Sequence, residues 1–228
     1  MDPHLVTLPS PLLGPSSWDP AARALRLLGR RVTTVHPRLS GSVSPAGVLD
    51  AFAAALPEGE LVLVPHSNAG LYVAALSARH RVIGAVLVDA ALATDEERIP
   101  LAPPGLLEVL RGLARPDGLL PPWTQWWDAA SVAGLFADDA TRARVEAGQP
   151  RLPLAYLEAD LPGSPRWHER VAAAYVAFGD TYAEEVATAR ALGWPTATLV
   201  GRHLHLLADP EAVAAQVSAM VTRLGLDD

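Results

Sequence analysis

The 228-residue chain contains no cysteine. A disulfide framework and a thiolate metal site are therefore both excluded. Lysine is missing as well, so all 18 basic residues are arginine. With the abundance of alanine, this points to a GC-rich coding sequence more than to a function. Only 6% of residues are aromatic and only 19% are charged, while half are hydrophobic. That balance excludes a disordered chain and suits one domain with a substantial core.

Net positive charge is also lacking. The formal charge is −7 and no run of like charge stands out, so neither nucleic acid nor an anionic membrane surface is an expected partner. No segment has the length and apolarity of a membrane span. The first residues, Met1-Asp2-Pro3-His4, lack the basic and apolar regions of a signal peptide, which makes a cytoplasmic location the default expectation. There is no Gly-rich phosphate loop, no His-Glu-x-x-His and no paired-histidine spacing on a helix. His203 and His205 alternate, but no third ligand accompanies them. No metal and no cofactor are expected.

What is present is a rhythm of short apolar strands and longer helical patterns. Leu5–Leu8, Val32–Val35, Leu61–Val64 and Val82–Val88 read as buried strands. Between them, helices are expected over Trp18–Leu28, from the Ser44-Pro45 cap to Leu56, and over Ala69–Arg79. After Asp89 the rhythm breaks. Residues 91–168 are proline-rich, carry short amphipathic pieces, and read as a mostly helical insertion. The rhythm resumes with a strand over Val171–Phe178, a helix over Tyr182–Leu192, a strand over Thr196–Val200 and a last helix capped by Asp209-Pro210. The β-α-β-α order predicts an α/β fold: a doubly wound, mostly parallel sheet of about six strands in one domain over 1–228.

The strongest local signal is Leu61-Val62-Leu63-Val64-Pro65-His66-Ser67-Asn68-Ala69-Gly70. A buried strand meets a serine, and a helix of small residues follows at once. This resembles the nucleophile elbow of the α/β hydrolases, G-x-S-x-G, where a sharp strained turn demands small neighbours. Ala69 and Gly70 meet that demand, whereas Pro65 departs from the usual glycine. A plain helix cap at Ser67 is the bland alternative. The order of partners favours the elbow, since the family runs Ser, then Asp or Glu, then His. Phe178-Gly179-Asp180 ends the first strand after the insertion, and Gly201-Arg202-His203 follows the last strand. The stretch His203–Val213, with its Asp209-Pro210-Glu211 helix start, also resembles the family's ending.

The resemblance implies an α/β-hydrolase fold with a helical cap at 91–168 and a catalytic set of Ser67, Asp180 and His203. Asp89 is the rival acid, because some relatives place the acid on the strand before the cap. His205 is the lesser candidate for the base. One oxyanion donor would be the N–H of Asn68. The other belongs to the loop Pro9-Ser10-Pro11-Leu12-Leu13-Gly14-Pro15, where Pro11 falls at the donor position and has no N–H. Leu12 or Leu13 is expected to donate instead, or Ser10 through its hydroxyl. Ser10, His66, Trp123, Trp126 and Trp127 are the candidate substrate-binding residues, although the tryptophans equally suit packing of the cap. The implied activity is serine-dependent hydrolysis of a small apolar ester, thioester or lactone, with a small acyl compound as partner. The alternatives are an acyltransferase, cyclase or lyase of the same fold, or a binding protein without turnover.

Overall fold

A computed structural model describes residues 3–37 and 43–227. Met1 and Asp2 of the N-terminal stretch lie outside the described residues. The chain begins with β1 (His4–Leu8), α1 (Asp19–Leu27), β2 (Val32–Thr34) and α2 (Pro45–Ala55). It continues through β3 (Leu61–Ser67), α3 (Val73–Ser77) and β4 (Val82–Ala90). Next come β5 (Arg98–Pro100), α4 (Pro104–Leu113), α5 (Ala129–Ala133), α6 (Asp139–Gly148), α7 (Leu154–Glu158) and β6 (Asp160–Pro162). The last elements are β7 (Ala172–Phe178), α8 (Ala183–Ala191), β8 (Thr196–Leu199), α9 (His205–Ala208) and α10 (Pro210–Arg223).

Six strands form one sheet in the order β2-β1-β3-β4-β7-β8, and every neighbouring pair is parallel. The doubly wound sheet expected from the sequence is the one observed. Its central strands need cover on both faces, which is why β1, β3 and most of β4 are buried apolar runs. Helix α1 packs on α10, α10 rests on β4 and β7, and α2 packs on α3. The expected caps form. Ser44 Oγ accepts from the Gly47 N–H at 3.1 Å, and Asp209 Oδ1 accepts from the Ala212 N–H at 3.0 Å.

Two elements differ from the expectation. The helix foreseen over Ala69–Arg79 starts as a 3₁₀ turn at Asn68–Tyr72 and becomes α-helical only at α3. The chain beyond β4 passes close under this turn, and a Cβ at Gly70 would stand 2.0 Å from the Ala91 carbonyl oxygen. Between β4 and β7 the chain carries four short helices joined by longer irregular stretches, and β5 and β6 near its two ends pair antiparallel. Leu119 and Pro153 form a further bridge within that segment. The large side chains inside it, such as Trp123, Tyr156 and Trp167, are continuous with the core of the sheet.

Candidate active site

Strand β3 delivers Ser67 at its C-terminal end, with φ 58° and ψ −134°. Such a backbone is costly for any residue bearing a Cβ, so the surroundings must hold it. They do so through the edge of β4: the Ala91 N–H donates to the Ser67 carbonyl at 3.0 Å, and Gly70 leaves room for that chain to pass. Pro65 lies inside β3, opposite Leu8 of β1, and is buried there.

The loop after β8 brings His203 to the same place. Its Nδ1 lies 2.6 Å from Asp89 Oδ2. Asp89 is fully buried, and its other oxygen accepts from the Phe178 N–H at 2.8 Å. With Nδ1–H donating to the carboxylate, Nε2 of His203 is left as a proton acceptor. The pairing of β3 with β4 runs His66↔Val88 and then Ser67↔Ala90, so Asp89 is the unmatched residue of a bulge, with φ 41°. Bulges re-aim side chains, and this one turns a carboxylate to the end of the sheet. Tyr175 of β7 fixes the bulge, because its hydroxyl accepts from the Ala90 N–H at 2.9 Å and donates to the Ala90 carbonyl.

This corrects the sequence-based choice of acid. Asp180 does not carry the bond to His203. Gly179 has φ 68° and turns the chain away from the end of β7, leaving Asp180 exposed on the rim of the cavity. His205 is not the histidine on the acid either. Its ring lies 5.4 Å from that of Phe178 and over Gly201, whose Cβ would collide with it.

Ser67 and His203 line one cavity of about 980 Å³, together with Leu12, Asn68, Trp123, Trp126 and Trp127. Leu101, Leu106, Leu135 and Leu157 from the segment between β4 and β7 make its far wall apolar. Trp123 lies 5.7 Å from the His203 ring and 5.9 Å from Trp127, so the tryptophans line the cavity and pack against one another at once. Ser10 and His66 are absent from the lining, which corrects their assignment as substrate contacts. His66 sits behind His203, stacked at 4.7 Å, with its Nε2–H donating to the His203 carbonyl at 2.9 Å. Its Nδ1 has no partner, and burial, with His203 close by, holds its pKa well below the ordinary histidine value. It stays neutral and supports the loop that carries His203.

The oxyanion side also differs from the expectation. Pro11 has no N–H, and the Leu13 N–H closes a turn on the Ser10 carbonyl at 3.0 Å. The Leu12 N–H bends back to Ser10 Oγ at 3.3 Å. Neither amide is free, because the turn consumes both. The side chain of Asn68 is engaged elsewhere: Nδ2 donates to the Leu101 carbonyl at 2.9 Å and Oδ1 accepts from Tyr156 at 3.2 Å. Tyr156 has one hydroxyl proton, so Tyr72 is the donor in their 2.7 Å contact.

Tyr182 is a cavity residue that no sequence motif marks. It lines the cavity, its ring lies 5.7 Å from His203, and its hydroxyl is within hydrogen-bonding reach of Ser67. Burial, with Asp89 and Glu185 nearby, raises its pKa well above the ordinary tyrosine value. A lone Tyr just before a helix carries no motif, so only the spatial arrangement reveals it.

Among the described residues, no group of three or more His, Asp or Glu side chains is arranged to hold a metal ion. No helix among them is long and apolar enough to cross a membrane.

No protein-family model and no curated protein matches the sequence. Solved structures do match. An extracellular α/β-hydrolase from a Paenibacillus species, described as sharing structural and functional homology with tobacco salicylic acid binding protein 2, superposes with a TM-score of 0.78 at 16% identity, over 96% of this chain and 98% of that one. Tomato methylketone synthase I, in complex with β-ketoheptanoate, gives a TM-score of 0.73 at 13% identity over 98% of each chain. Polyneuridine aldehyde esterase gives 0.72 at 14% identity, over 96% of this chain and 99% of that one. The parallel sheet, the elbow at Ser67 and these superpositions together give the chain the α/β-hydrolase fold.

Proposed function

We propose that the chain is a serine hydrolase acting on a small, largely apolar ester, thioester or lactone, with Ser67 as nucleophile, His203 as base and Asp89 as acid. The observation that carries this reading is the 2.6 Å contact between the buried Asp89 carboxylate and His203, which lines the same cavity as the strained Ser67. A serine hydroxyl needs a base to remove its proton, and the base needs a fixed tautomer. In the reaction Ser67 Oγ attacks the acyl carbon, its proton passes to His203 Nε2, and the carbonyl electrons move onto oxygen. Collapse then expels the leaving group, which takes the proton from His203. Water repeats the cycle and releases the acid. The N–H of Asn68 is one oxyanion donor in this scheme. The apolar wall of leucines and tryptophans supports the choice of substrate class, as do the esterase and hydrolase among the structures that share the fold.

A second reading is non-hydrolytic chemistry on the same residues, such as acyl transfer, cyclisation or elimination. It is favoured by one observation, the consumption of the Leu12 and Leu13 amides within their own loop. A fluorophosphonate probe and a series of p-nitrophenyl esters of increasing chain length test the two. Labelling at Ser67 with ester turnover, both lost in Ser67→Ala, is the expected result. His203→Ala should be about as damaging, since the two side chains act as a unit. Labelling without turnover of any ester would favour the non-hydrolytic reading, and folded protein that does not label would overturn both.

A further inference from the structure

The loop after β1 leaves the proposed oxyanion one donor short. Pro11 has no N–H, and the amides of Leu12 and Leu13 are held by Ser10. Each lost oxyanion donor costs roughly 10²–10³ in rate, so a tetrahedral intermediate here calls for a replacement donor. The replacement must be a side-chain hydroxyl or amide that reaches the neighbourhood of Ser67 Oγ. The Asn68 amide is committed to Leu101 and Tyr156, and the Trp126 indole N–H donates to the Pro121 carbonyl at 2.8 Å. Ser10 is outside the cavity lining.

Building on the Ser67–His203–Asp89 reading, we propose that the hydroxyl of Tyr182 is the second oxyanion donor. Its ring stands at 5.7 Å from His203, and its hydroxyl lies within hydrogen-bonding reach of Ser67. The oxyanion and Oγ become geminal oxygens on one carbon once Ser67 has attacked. A hydroxyl that reaches one therefore reaches the other by a small rotation. In the tetrahedral intermediate the same O–H donates to the oxyanion, and no proton is transferred from tyrosine at any step. Burial, with the carboxylates of Asp89 and Glu185 nearby, favours the neutral phenol, so the donor persists across the working pH range.

The test compares Tyr182→Phe and Ser10→Ala with the wild type, using a p-nitrophenyl ester and the matching thionoester. Tyr182→Phe keeps the ring and its packing, and an unchanged thermal midpoint establishes folding. The expected result is a fall in kcat of roughly 10²–10³-fold with little change in KM. The preference for the oxoester over the thionoester should shrink with it, since sulfur is the poorer acceptor and the lost donor is the group that distinguishes them. Ser10→Ala should retain kcat. The inference is overturned if Tyr182→Phe keeps kcat, if it raises KM alone, or if Ser10→Ala takes the loss instead. Fluorophosphonate labelling separates the two levels. Wild-type protein that labels while Tyr182→Phe keeps full turnover refutes the tyrosine alone, whereas wild-type protein that never labels refutes the serine reading and the tyrosine together.

Discussion

Asp89→Asn tests the site most directly, because the structure dictates how the amide must sit. The Phe178 N–H points at Oδ1 of residue 89, so that position must accept. An asparagine placed with its NH₂ there would set donor against donor in a fully buried site. The carbonyl oxygen of Asn therefore faces Phe178, and the NH₂ faces His203 Nδ1, where Oδ2 now lies at 2.6 Å. His203 can accept that bond only by moving its proton to Nε2. On the proposed reading, the N–H would then sit on the nitrogen that has to accept the Ser67 proton, and His203 could not act as base. The corresponding change in a serine protease costs about 10⁴-fold in kcat, or about 5.4 kcal/mol at 1.36 kcal/mol per decade. We expect a loss of that order in p-nitrophenyl ester turnover and a parallel slowing of fluorophosphonate labelling. Asp180→Asn, on an exposed rim residue, should stay within a few-fold of wild type. If Asp180→Asn proved the more damaging change, the assignment of the acid from the His203 contact would be wrong.

Three further outcomes follow from particular contacts. His66 has a folded pKa well below its unfolded value of 6.5, so the unfolded chain binds the extra proton and stability should fall as pH drops below 6.5, with a limiting slope of about 1.4 kcal/mol per pH unit. Urea denaturation across this range should show the slope, and His66→Gln, which keeps a donor near the Nε2 position, should reduce it. His4 shifts in the same direction and leaves a residual slope, while Glu185, raised from 4.5, opposes the trend only at the acid end. Tyr156→Phe removes the donor to Asn68 and leaves the Tyr72 hydroxyl without its acceptor, which should cost about 1–3 kcal/mol by chemical denaturation. An unchanged midpoint would mean that water replaces both bonds. Gly70→Ala places a Cβ 2.0 Å from a backbone oxygen, so its loss of stability should reach or exceed the upper end of the roughly 1–3 kcal/mol seen for overpacking, and a wild-type urea midpoint would contradict the crowding at the elbow.

The parts of this molecule that depend on local chemistry were legible in the sequence. Continuous apolar runs marked the buried parallel strands, and Ser44-Pro45 and Asp209-Pro210 marked two helix starts. Ser67 and His203 could be placed because each follows a strand end, and a strand end is local information. The partner of His203 could not be fixed in the same way. Asp89 and Asp180 both terminate strands, and the choice between them rests on a register slip between β3 and β4 and on a tyrosine from β7 that clamps it. One sequence signal did favour Asp89. A carboxylate at the end of Val82–Val88 enters a fully buried environment and must find partners there, whereas a residue after Gly179 can turn to solvent. The oxyanion loop differs from its sequence-based expectation for a similar reason. The absence of an N–H at Pro11 is visible in the sequence, but the capture of the next two amides by Ser10 depends on how the turn folds back on itself.

The position of Asp89 explains why Tyr182 is free to approach Ser67. An acid on the loop after β7 would have to point toward His203, and the following residues would be committed to holding it there. With the carboxylate supplied from β4 instead, β7 contributes only a backbone N–H to the acid, from Phe178. The chain can then turn at Gly179, leave Asp180 in solvent, and bring Tyr182 back over the cavity before α8 begins. The same arrangement ties the acid to the segment that covers the site. Ala91, immediately beyond the bulge, donates to Ser67 and passes beneath Gly70, and the chain runs from there into the cavity wall. Ser67, Asp89 and the root of the cavity wall are thus fastened at the adjoining ends of β3 and β4. A change that shifts the root of the cover should disturb the hydrogen bond between Asp89 and His203 before it disturbs the sheet.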